Sequence, residues 1–259
     1  MTTLRSPGER VFPSAEQLRR ELDRTGVTIP GDITRSVVVS DEIFHKLSES
    51  PDLQHIIDCS DLPSLQQLSN RSLYLWTNVE NSALVFTSQG YSPASHSLSS
   101  SALLIRMAVL LGVDRFLFID IARPVSRNLP MSAVISDHVN LLGDNPLIGT
   151  NDDRFGVRFP DMSSVYSVVR AEEISEICRE REISHASDAI LVGIPNTQEL
   201  TENERPALEW VGKSYRTDAL IPEIIVAHHA GMEVAALLVS GGMDYDSLYG
   251  LLNELLDQR

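Results

Sequence analysis

One stretch of this 259-residue sequence is rich in side chains that could bind a ligand or a neighbouring subunit. It runs from Ser136 to Tyr166 and reads SDHVNLLGDNPLIGTNDDRFGVRFPDMSSVY. Glycine turns and two prolines separate its imidazole, amide and guanidinium groups, which belong to His138, Asn140, Asn145, Asn151, Arg154 and Arg158. An amphipathic helix or strand does not use this mixture. The stretch, called the crossing segment below, is therefore predicted to be ordered, irregular and involved in a site or a subunit contact.

A second candidate for chemistry is the turn after the apolar run SVVVS, residues 36–40. The turn after a buried strand is a common place for backbone N–H groups to hold a phosphate. No glycine follows Ser40, however, and the next two residues are Asp41 and Glu42. Because carboxylates repel phosphate, the turn by itself does not predict a phosphate-binding loop.

Histidine and cysteine are not spaced as metal ligands. His228 and His229 are adjacent in a helix-like run, where a structural role is favoured over metal binding. Cys59 and Cys178 have no CxxC spacing and no flanking histidine pair, so each is predicted to be a buried free thiol. No metal site is predicted, and free thiols suit a reducing compartment.

Composition narrows the choice of partners and location. The formal net charge is -15 and the pI is near 4.8, so the protein's own field disfavours duplex nucleic acid and anionic membranes as partners. The sequence contains no run of eighteen apolar residues, and the opening residues MTTLRSPGERVF have no apolar core of a signal peptide. We therefore predict a cytoplasmic or nuclear protein that is not secreted.

The elements that would position these residues alternate between strands and helices. Residues 1–33 form a lead-in with one helix, AEQLRRELDRTG, which Ser14 can cap with Gln17 at the reciprocal position. After it, strand-like runs such as RFLFIDIA and EVAALLVSGG alternate with helix-like runs such as SALLIRMAVLLGV and AEEISEICRERE. This order predicts an α/β fold with one domain over residues 34–259, built on a mixed central sheet flanked by helices.

Three blocks of sequence, in this order, resemble the trimeric purine nucleoside phosphorylase family. They are the crossing segment, the stretch IPEIIVAHHAGMEVAALLVS at residues 221–240, and MDYDSL at residues 243–248. The resemblance spans roughly residues 34–255 and implies that family's fold, usually assembled as a trimer. It also implies the family's reaction, in which phosphate attacks the anomeric carbon of a purine nucleoside and the base leaves. Phosphate would be a co-substrate, and no other cofactor is implied.

Residues that the resemblance assigns to the phosphate subsite are mostly altered. Ser40 matches the family's serine, without its glycines. Gln89–Gly90 match the start of a QGRxH-type motif, in which the arginine position is Tyr91 and the histidine position is Pro93. A TNAAGG-type motif has become IDIARP, which places Asp120, Arg123 and Pro124 at altered positions. Loss of a bidentate cation beside added carboxylates makes a poor anion site, although Arg123 or His96 remain possible substitutes.

The base subsite is also altered. The family's glutamate falls on Gln198, with Glu199 beside it, and the family's asparagine falls on Gly241, preceded by Ser240. The asparagine donates to the leaving nitrogen of the purine, and glycine has no such donor. Removing one comparable donor costs about 10²–10³ in rate.

Of the residues that the resemblance assigns to the sugar subsite, this sequence keeps one. The methionine position is Asp218, the histidine position is Asn253 and the tyrosine position is Ser95, whereas the neighbouring subunit's aromatic is kept as Phe159.

Two hypotheses follow from these replacements. The first is a catalytically inactive, phosphorylase-like protein that serves as a structural or protein-interaction scaffold, as a homotrimer or with another protein. The alternative is an active purine nucleoside phosphorylase or nucleosidase with a rebuilt site. Residues that such a site retains for substrate would be Ser40, Phe159, Gln198, Glu199 and Ser240, and the degenerate catalytic positions are Gln198, Gly241 and Asn253.

Overall fold

The computed structural model describes residues 14–27, 29–30, 33–63, 72–78, 82–88, 98–195 and 200–257, without the side chains of residues 15 and 98–102. Its strands are β1 Arg35–Ser40, β2 Leu53–Asp58, β3 Ser72–Thr77, β4 Ser82–Ser88, β5 Arg115–Ile121, β6 Ala133–Asn140, β7 Ala186–Gly193, β8 Ser214–Thr217 and β9 Glu233–Val239. Its α-helices are α1 Ala15–Arg24, α2 Asp41–Leu47, α3 Leu98–Leu111, α4 Val168–Glu180, α5 Glu204–Glu209, α6 Ile221–His229 and α7 Tyr245–Asp257.

The nine strands of the described residues form one mixed sheet in the order β2-β3-β4-β1-β5-β9-β6-β7-β8. Strands β4, β1, β5 and β9 are parallel neighbours, as are β6, β7 and β8. The two parallel groups meet where β6 pairs antiparallel with β9 at Ala133↔Leu238 and Val134↔Leu237. The predicted α/β fold with a mixed central sheet is confirmed.

The central strands are apolar on both faces because helices cover both faces. On β1, Val38 packs into the core shared with α1, α3 and α6, whereas Val37 and Val39 pack into the core shared with α2, α4 and α7. Such double burial explains why β1, β5 and β9 are nearly continuous apolar runs rather than alternating ones. Since these three strands are parallel, their carboxyl ends lie at one edge of the sheet.

Helix α1 of the predicted lead-in packs onto the main core through Leu18 and Leu22, which are both buried. The Ser14 hydroxyl accepts a hydrogen bond from the Gln17 backbone N–H at 3.1 Å, as the cap predicts. The reciprocal half of the predicted capping box is wrong, because the Gln17 side chain donates instead to Glu21 Oε1 at 3.2 Å.

Most predicted elements are present, with differences that local chemistry explains. Helix α4 begins earlier than predicted because Ser167 caps it, accepting a hydrogen bond from Arg170 N. Strand β6 continues into the crossing segment as far as Asn140, so the irregular part begins at residue 141. Strands β2 and β8 were not predicted. In the described residues, no helix is both long and apolar enough to cross a membrane.

Candidate functional site

Several strands end together at the carboxyl edge of the sheet. Ser40 ends β1 and lies opposite Ser88, the last residue of β4, while Ile121 ends β5 opposite Val239 of β9. Ser240 follows directly after β9. This edge brings Ser40, Asp120 and Ser240 to the same end of the sheet, as expected for the carboxyl ends of parallel strands, where ligands bind in open α/β sheets.

Asp120 is the most deeply buried charged group at this edge, with 1% of its surface exposed. Its Oδ1 accepts the Ile121 backbone N–H at 2.7 Å, and its Oδ2 accepts the Thr217 hydroxyl at 3.0 Å. Burial raises the pKa of the Asp120 carboxyl above its usual range, against the opposing effects of Arg123, Ser40, the Ile121 amide and Thr217. The folded protein thus makes the Asp120 carboxylate a better proton acceptor than a free aspartate.

Arg123 links Asp120 to the first turn of α2. Its Nη1 lies 3.4 Å from Asp120 Oδ1, and its Nη2 donates to Glu42 Oε1 at 2.6 Å. Burial lowers the pKa of Arg123, but the carboxylates of Asp120, Glu42 and Asp218 raise it by more, so the net shift is upward. One guanidinium therefore faces three carboxylates at this edge.

The turn between β8 and α6 also lies at the carboxyl edge of the sheet, where its backbone is bonded to Thr217 and Ser88. Thr217 Oγ1 also accepts the Ala219 backbone N–H at 3.0 Å, and the Ser88 hydroxyl accepts the Leu220 N–H at 3.2 Å. The Ser88 hydroxyl in turn donates to Glu223 Oε1 at 2.9 Å. Leu220 has φ +61°, an uncommon conformation for a non-glycine residue, and these bonds hold it there.

Sequence reasoning missed the roles of Thr217, Ser88 and Glu223. Thr217 is the last residue of a four-residue strand, and that strand has no apolar run from which it could be predicted. Ser88 and Glu223 are 135 residues apart in the chain. The Pro222–Glu223 pair is typical of the start of a helix and could have predicted the start of α6. It could not have predicted that Glu223 accepts a hydrogen bond from the Ser88 hydroxyl.

Ser240 and Gly241, two positions of the predicted base subsite, lie at the carboxyl edge of the sheet and contact residues close to them. The Ser240 hydroxyl accepts the Gly242 backbone N–H at 3.2 Å. A Cβ at Gly241 would lie 3.3 Å from Ile121 Cγ2, so the backbone here approaches β5 closely. Gln198 and Glu199, which complete the predicted base subsite, lie outside the described residues, as do Tyr91, Pro93, Ser95 and His96.

Asn253 lies toward the opposite edge of the sheet. Its Oδ1 accepts Trp76 Nε1 at 3.1 Å and Asn78 Nδ2 at 2.8 Å. Trp76 pairs with Leu53 and with Ala83, and Ala83 precedes Leu84, which pairs with Ser36 near the amino end of β1. The structure therefore does not bring Asn253 together with Ser40 and Ser240.

Phe159 projects from the crossing segment, and its side chain is 85% exposed. The Arg158 guanidinium lies over the Phe159 ring, with Cζ 5.2 Å from the ring centroid. Ile148 and Val157 on the same segment are 74% and 67% exposed. Beside them lies an open groove of about 350 Å³, whose lining includes Leu147, Ile148, Phe159, Met162 and Ile225. The crossing segment thus presents both an apolar projection and an apolar groove.

His138 and Tyr166 join the two ends of the crossing segment. The Tyr166 hydroxyl lies 3.2 Å from His138 Nδ1, and the rings meet edge to face. Burial lowers the pKa of His138, and burial together with Asp137 raises the pKa of Tyr166, so both groups are neutral at pH 7. Among the described residues, no group of three or more histidine, cysteine or acidic side chains is placed to hold a metal ion.

Over about half of its length, the chain is similar in sequence to curated purine nucleoside phosphorylases. No protein-family model matches the chain. It is 33% identical over 135 residues to purine nucleoside phosphorylase 1 of Geobacillus stearothermophilus, covering 51% of this chain and 49% of that one. It is 32% identical over 165 residues to purine nucleoside phosphorylase of Mus musculus, covering 59% and 56%. The chain thus spans about half the length of the curated relatives it matches.

Solved structures match over nearly the whole chain. A Schistosoma purine nucleoside phosphorylase in complex with hypoxanthine superposes with a TM-score of 0.79, at 19% identity, over 94% of this chain and 96% of that one. A purine nucleoside phosphorylase in complex with ribose-1-phosphate gives 0.80, at 18% identity, over 96% and 98%. At this level of identity the match establishes a shared fold.

Proposed function

Because this chain is a relative of the purine nucleoside phosphorylases and shares their fold, we propose that it has kept their framework without phosphorolysis. Its role is that of a structural or protein-interaction scaffold, assembled through the crossing segment. The chain is then a pseudoenzyme. The proposal rests on the residues at the carboxyl edge and on the exposed apolar surface of the crossing segment.

The observation that carries the proposal is the position of Arg123 between Asp120 and Glu42. A phosphate site needs hydrogen-bond donors whose charge is not already neutralised. The guanidinium at this edge is engaged by carboxylates on both sides, and Asp218 adds a third negative charge nearby. An incoming phosphate would have to compete with these carboxylates and also meet their repulsion. Arg123 is thus a poor substitute for the cation that the phosphorylase resemblance requires.

The base and sugar positions support the same conclusion. Gly241 has no side chain to donate to a leaving purine, and Asn253 is engaged near the opposite edge of the sheet. Losses in separate subsites act on one reaction, so their effects compound even though they are not additive.

Assembly is supported by the surface of the crossing segment. Monomeric proteins rarely leave several large apolar side chains together in water, and Ile148, Val157 and Phe159 are each more than 60% exposed. Since the groove and the projecting Phe159 are on one surface, a second copy of this chain can bury its own apolar residues against that surface. From the resemblance to a family that is usually trimeric, we propose that the assembly is a homotrimer.

A reducing compartment, the cytoplasm or the nucleus, is part of the proposal. Cys59 and Cys178 are both buried free thiols, which suits such a compartment. The net charge of -15 disfavours nucleic acid as a partner.

Inactivity is tested by incubating the purified protein with inosine, guanosine, adenosine and methylthioadenosine, with and without phosphate. Release of the base is followed by chromatography, with an active purine nucleoside phosphorylase as the positive control. We expect no enzymatic release under either condition and no phosphate binding by calorimetry. Turnover that requires phosphate would refute the proposal.

A second candidate function is nucleoside hydrolysis with the Asp120 carboxylate as the base, which requires a water molecule to reach a side chain that is 1% exposed. With its pKa raised by burial, Asp120 is a better base toward a water molecule than an ordinary aspartate. Water would attack the anomeric carbon and pass its proton to Asp120 while the bond to the base breaks, and the departing purine anion would take up a proton from solvent. Base release that is independent of phosphate and lost in Asp120→Asn would establish this function in place of the scaffold.

A further inference from the structure

Two consecutive histidines hold the part of the crossing segment that carries Phe159. At the end of α6, His228 Nε2 lies 2.7 Å from the carbonyl oxygen of Asp161, and His229 Nε2 lies 2.9 Å from that of Val157. A carbonyl can only accept, so each Nε2 carries the proton and donates. Phe159 is therefore the midpoint of a five-residue loop, residues 157–161, that is attached to α6 at both ends.

Gly156 lets this loop approach α6 closely. Its φ is +148°, and a Cβ built on it would lie 2.1 Å from the His229 carbonyl oxygen. Real Cβ atoms do not approach oxygen so closely. Any side chain at position 156 would push the loop away from the end of α6.

His229 is poorly suited to carry a charge in this position. The residue is 5% exposed, and its Nδ1 is buried without a hydrogen-bond partner in the described structure. Protonation would therefore bury an unsatisfied N–H and a positive charge together.

The charged and titratable groups around His229 add to this penalty. They are Arg106 of α3, Arg158 of the crossing segment and the adjacent His228; Asp152 acts on Arg106 rather than on His229. Burial is the main cause that lowers the pKa of His229, and these three groups lower it further, against the hydrogen bond to Val157. His228 in turn is near Asp161 and His138.

We propose that His228 and His229 form an acid-sensitive clamp that holds loop 157–161 in position to contact a second copy of this chain. The proposal rests on the assembly proposed above and adds its regulation. In the clamped state Phe159 points outward beside the apolar groove. When His229 takes up a proton, the clamped state becomes less stable relative to a released loop, because water can solvate the imidazolium only in the released loop.

The direction of the pH effect follows from the proton balance. The released loop binds a proton with the usual histidine pKa of about 6.5, whereas the clamped loop binds it only at lower pH. Clamping is therefore fully favourable above pH 6.5 and weakens as pH falls from there to the lowered pKa of His229. Over that window the ratio of clamped to released loop falls about tenfold for each pH unit.

The clamp is tested by sedimentation velocity from pH 8 to pH 5.5 at constant ionic strength. We expect an oligomer at pH 8 whose association weakens below pH 6.5, by up to about tenfold per clamped loop at pH 5.5. His229→Gln keeps an amide N–H for the Val157 carbonyl but does not titrate, so its assembly should be insensitive to pH. His45→Gln, at an exposed position on α2, is the matched control and should behave as wild type.

The outcomes separate the clamp from the assembly. An oligomer whose association is equally strong at pH 8 and pH 5.5 overturns the clamp and keeps the assembly, and so does a His229→Gln variant with wild-type pH dependence. A monomer at every pH overturns the assembly. The clamp is then judged by hydrogen–deuterium exchange of residues 150–166, corrected for the intrinsic effect of pH. Faster exchange at pH 5.5 supports it, and unchanged exchange overturns it.

Two glycine variants test the clamp without changing a histidine. Gly156→Ala clashes with the His229 carbonyl, whereas Gly149→Ala, also at positive φ on the crossing segment, meets nothing within 4 Å. Both variants suffer backbone strain, but only Gly156→Ala should weaken assembly at pH 8 by tenfold or more. Equal effects of the two variants would contradict the close attachment of the loop to α6.

Discussion

Arg123→Met removes the guanidinium that faces the buried Asp120 carboxylate while keeping most of the aliphatic side chain. Removing one partner of a buried ion pair costs about 3–5 kcal/mol, because the remaining charge is left without compensation. Arg123 is 22% exposed and its distances to Asp120 are 3.4 and 3.5 Å, so the lower end of that range applies. The bond to Glu42 adds little because Glu42 is 59% exposed. We expect a loss of about 3 kcal/mol in the free energy of unfolding.

Asp120→Asn should behave differently, because it removes the charge that is costly to bury. Since burial raises the pKa of Asp120, folding disfavours its carboxylate form. Wild-type stability therefore falls as pH rises from about 3.9 to the raised pKa, while that of Asp120→Asn does not. At pH 7 we expect this variant to lie within about 1 kcal/mol of wild type, and the double variant to recover most of the loss in Arg123→Met.

Urea denaturation at pH 7 and fixed protein concentration, followed by circular dichroism, measures these differences. A loss of 3 kcal/mol corresponds to a decrease in Tm of about 6–12 °C for a chain of this size. Arg179→Met is the control, since its pair with Glu176 is 59% exposed on both sides and contributes at most about 1 kcal/mol. The reasoning is refuted if Arg123→Met is as stable as wild type, or if adding Asp120→Asn restores nothing.

Three further predictions concern other parts of the molecule. Leu18→Ala should cost about 2–5 kcal/mol by urea denaturation because Leu18 is fully buried, and a loss below 1 kcal/mol would mean that α1 does not belong to the core. Asn253→Ala should cost about 1–3 kcal/mol, because it removes the acceptor shared by the Trp76 indole and an asparagine amide; unchanged stability would contradict this contact. Cys178, whose pKa burial raises to about 11, and the buried Cys59 should react with a disulfide reagent at pH 8 only after unfolding; rapid reaction of the native protein would contradict their burial.

The central strands could be predicted from sequence because burial on both faces leaves a continuous apolar run. Val37, Val38 and Val39 of β1 are all buried, so no polar residue interrupts the pattern. Strand β2 lies at the edge of the sheet and has one fully buried residue, Ile57, which gives neither an apolar run nor a clear alternation. Strand β8 is four residues long and mostly polar, so its position depends on β7 rather than on its own sequence.

The candidate site was only partly predictable because its key contacts join distant parts of the chain. Resemblance drew attention to Ser40, Asp120 and Arg123, but it does not say which side chains pair. The Arg123–Glu42 pair spans 81 residues and depends on the parallel pairing of β1 with β5. Asn253 illustrates the converse, since α7 runs from the carboxyl edge back toward the amino edge and carries this residue away from the site.

Helix α6 has one end at the carboxyl edge and the other at the crossing segment. Glu223 in its first turn is bonded to Ser88, and His228 and His229 in its last turn hold loop 157–161. Nine residues of α-helix span about 13 Å, too short a rod to bend appreciably. In the proposed assembly, changes that shift the start of α6 would therefore also displace loop 157–161. Selection for the proposed oligomer would then act on Ser88, Leu220 and Glu223 as well, without any requirement for nucleoside binding.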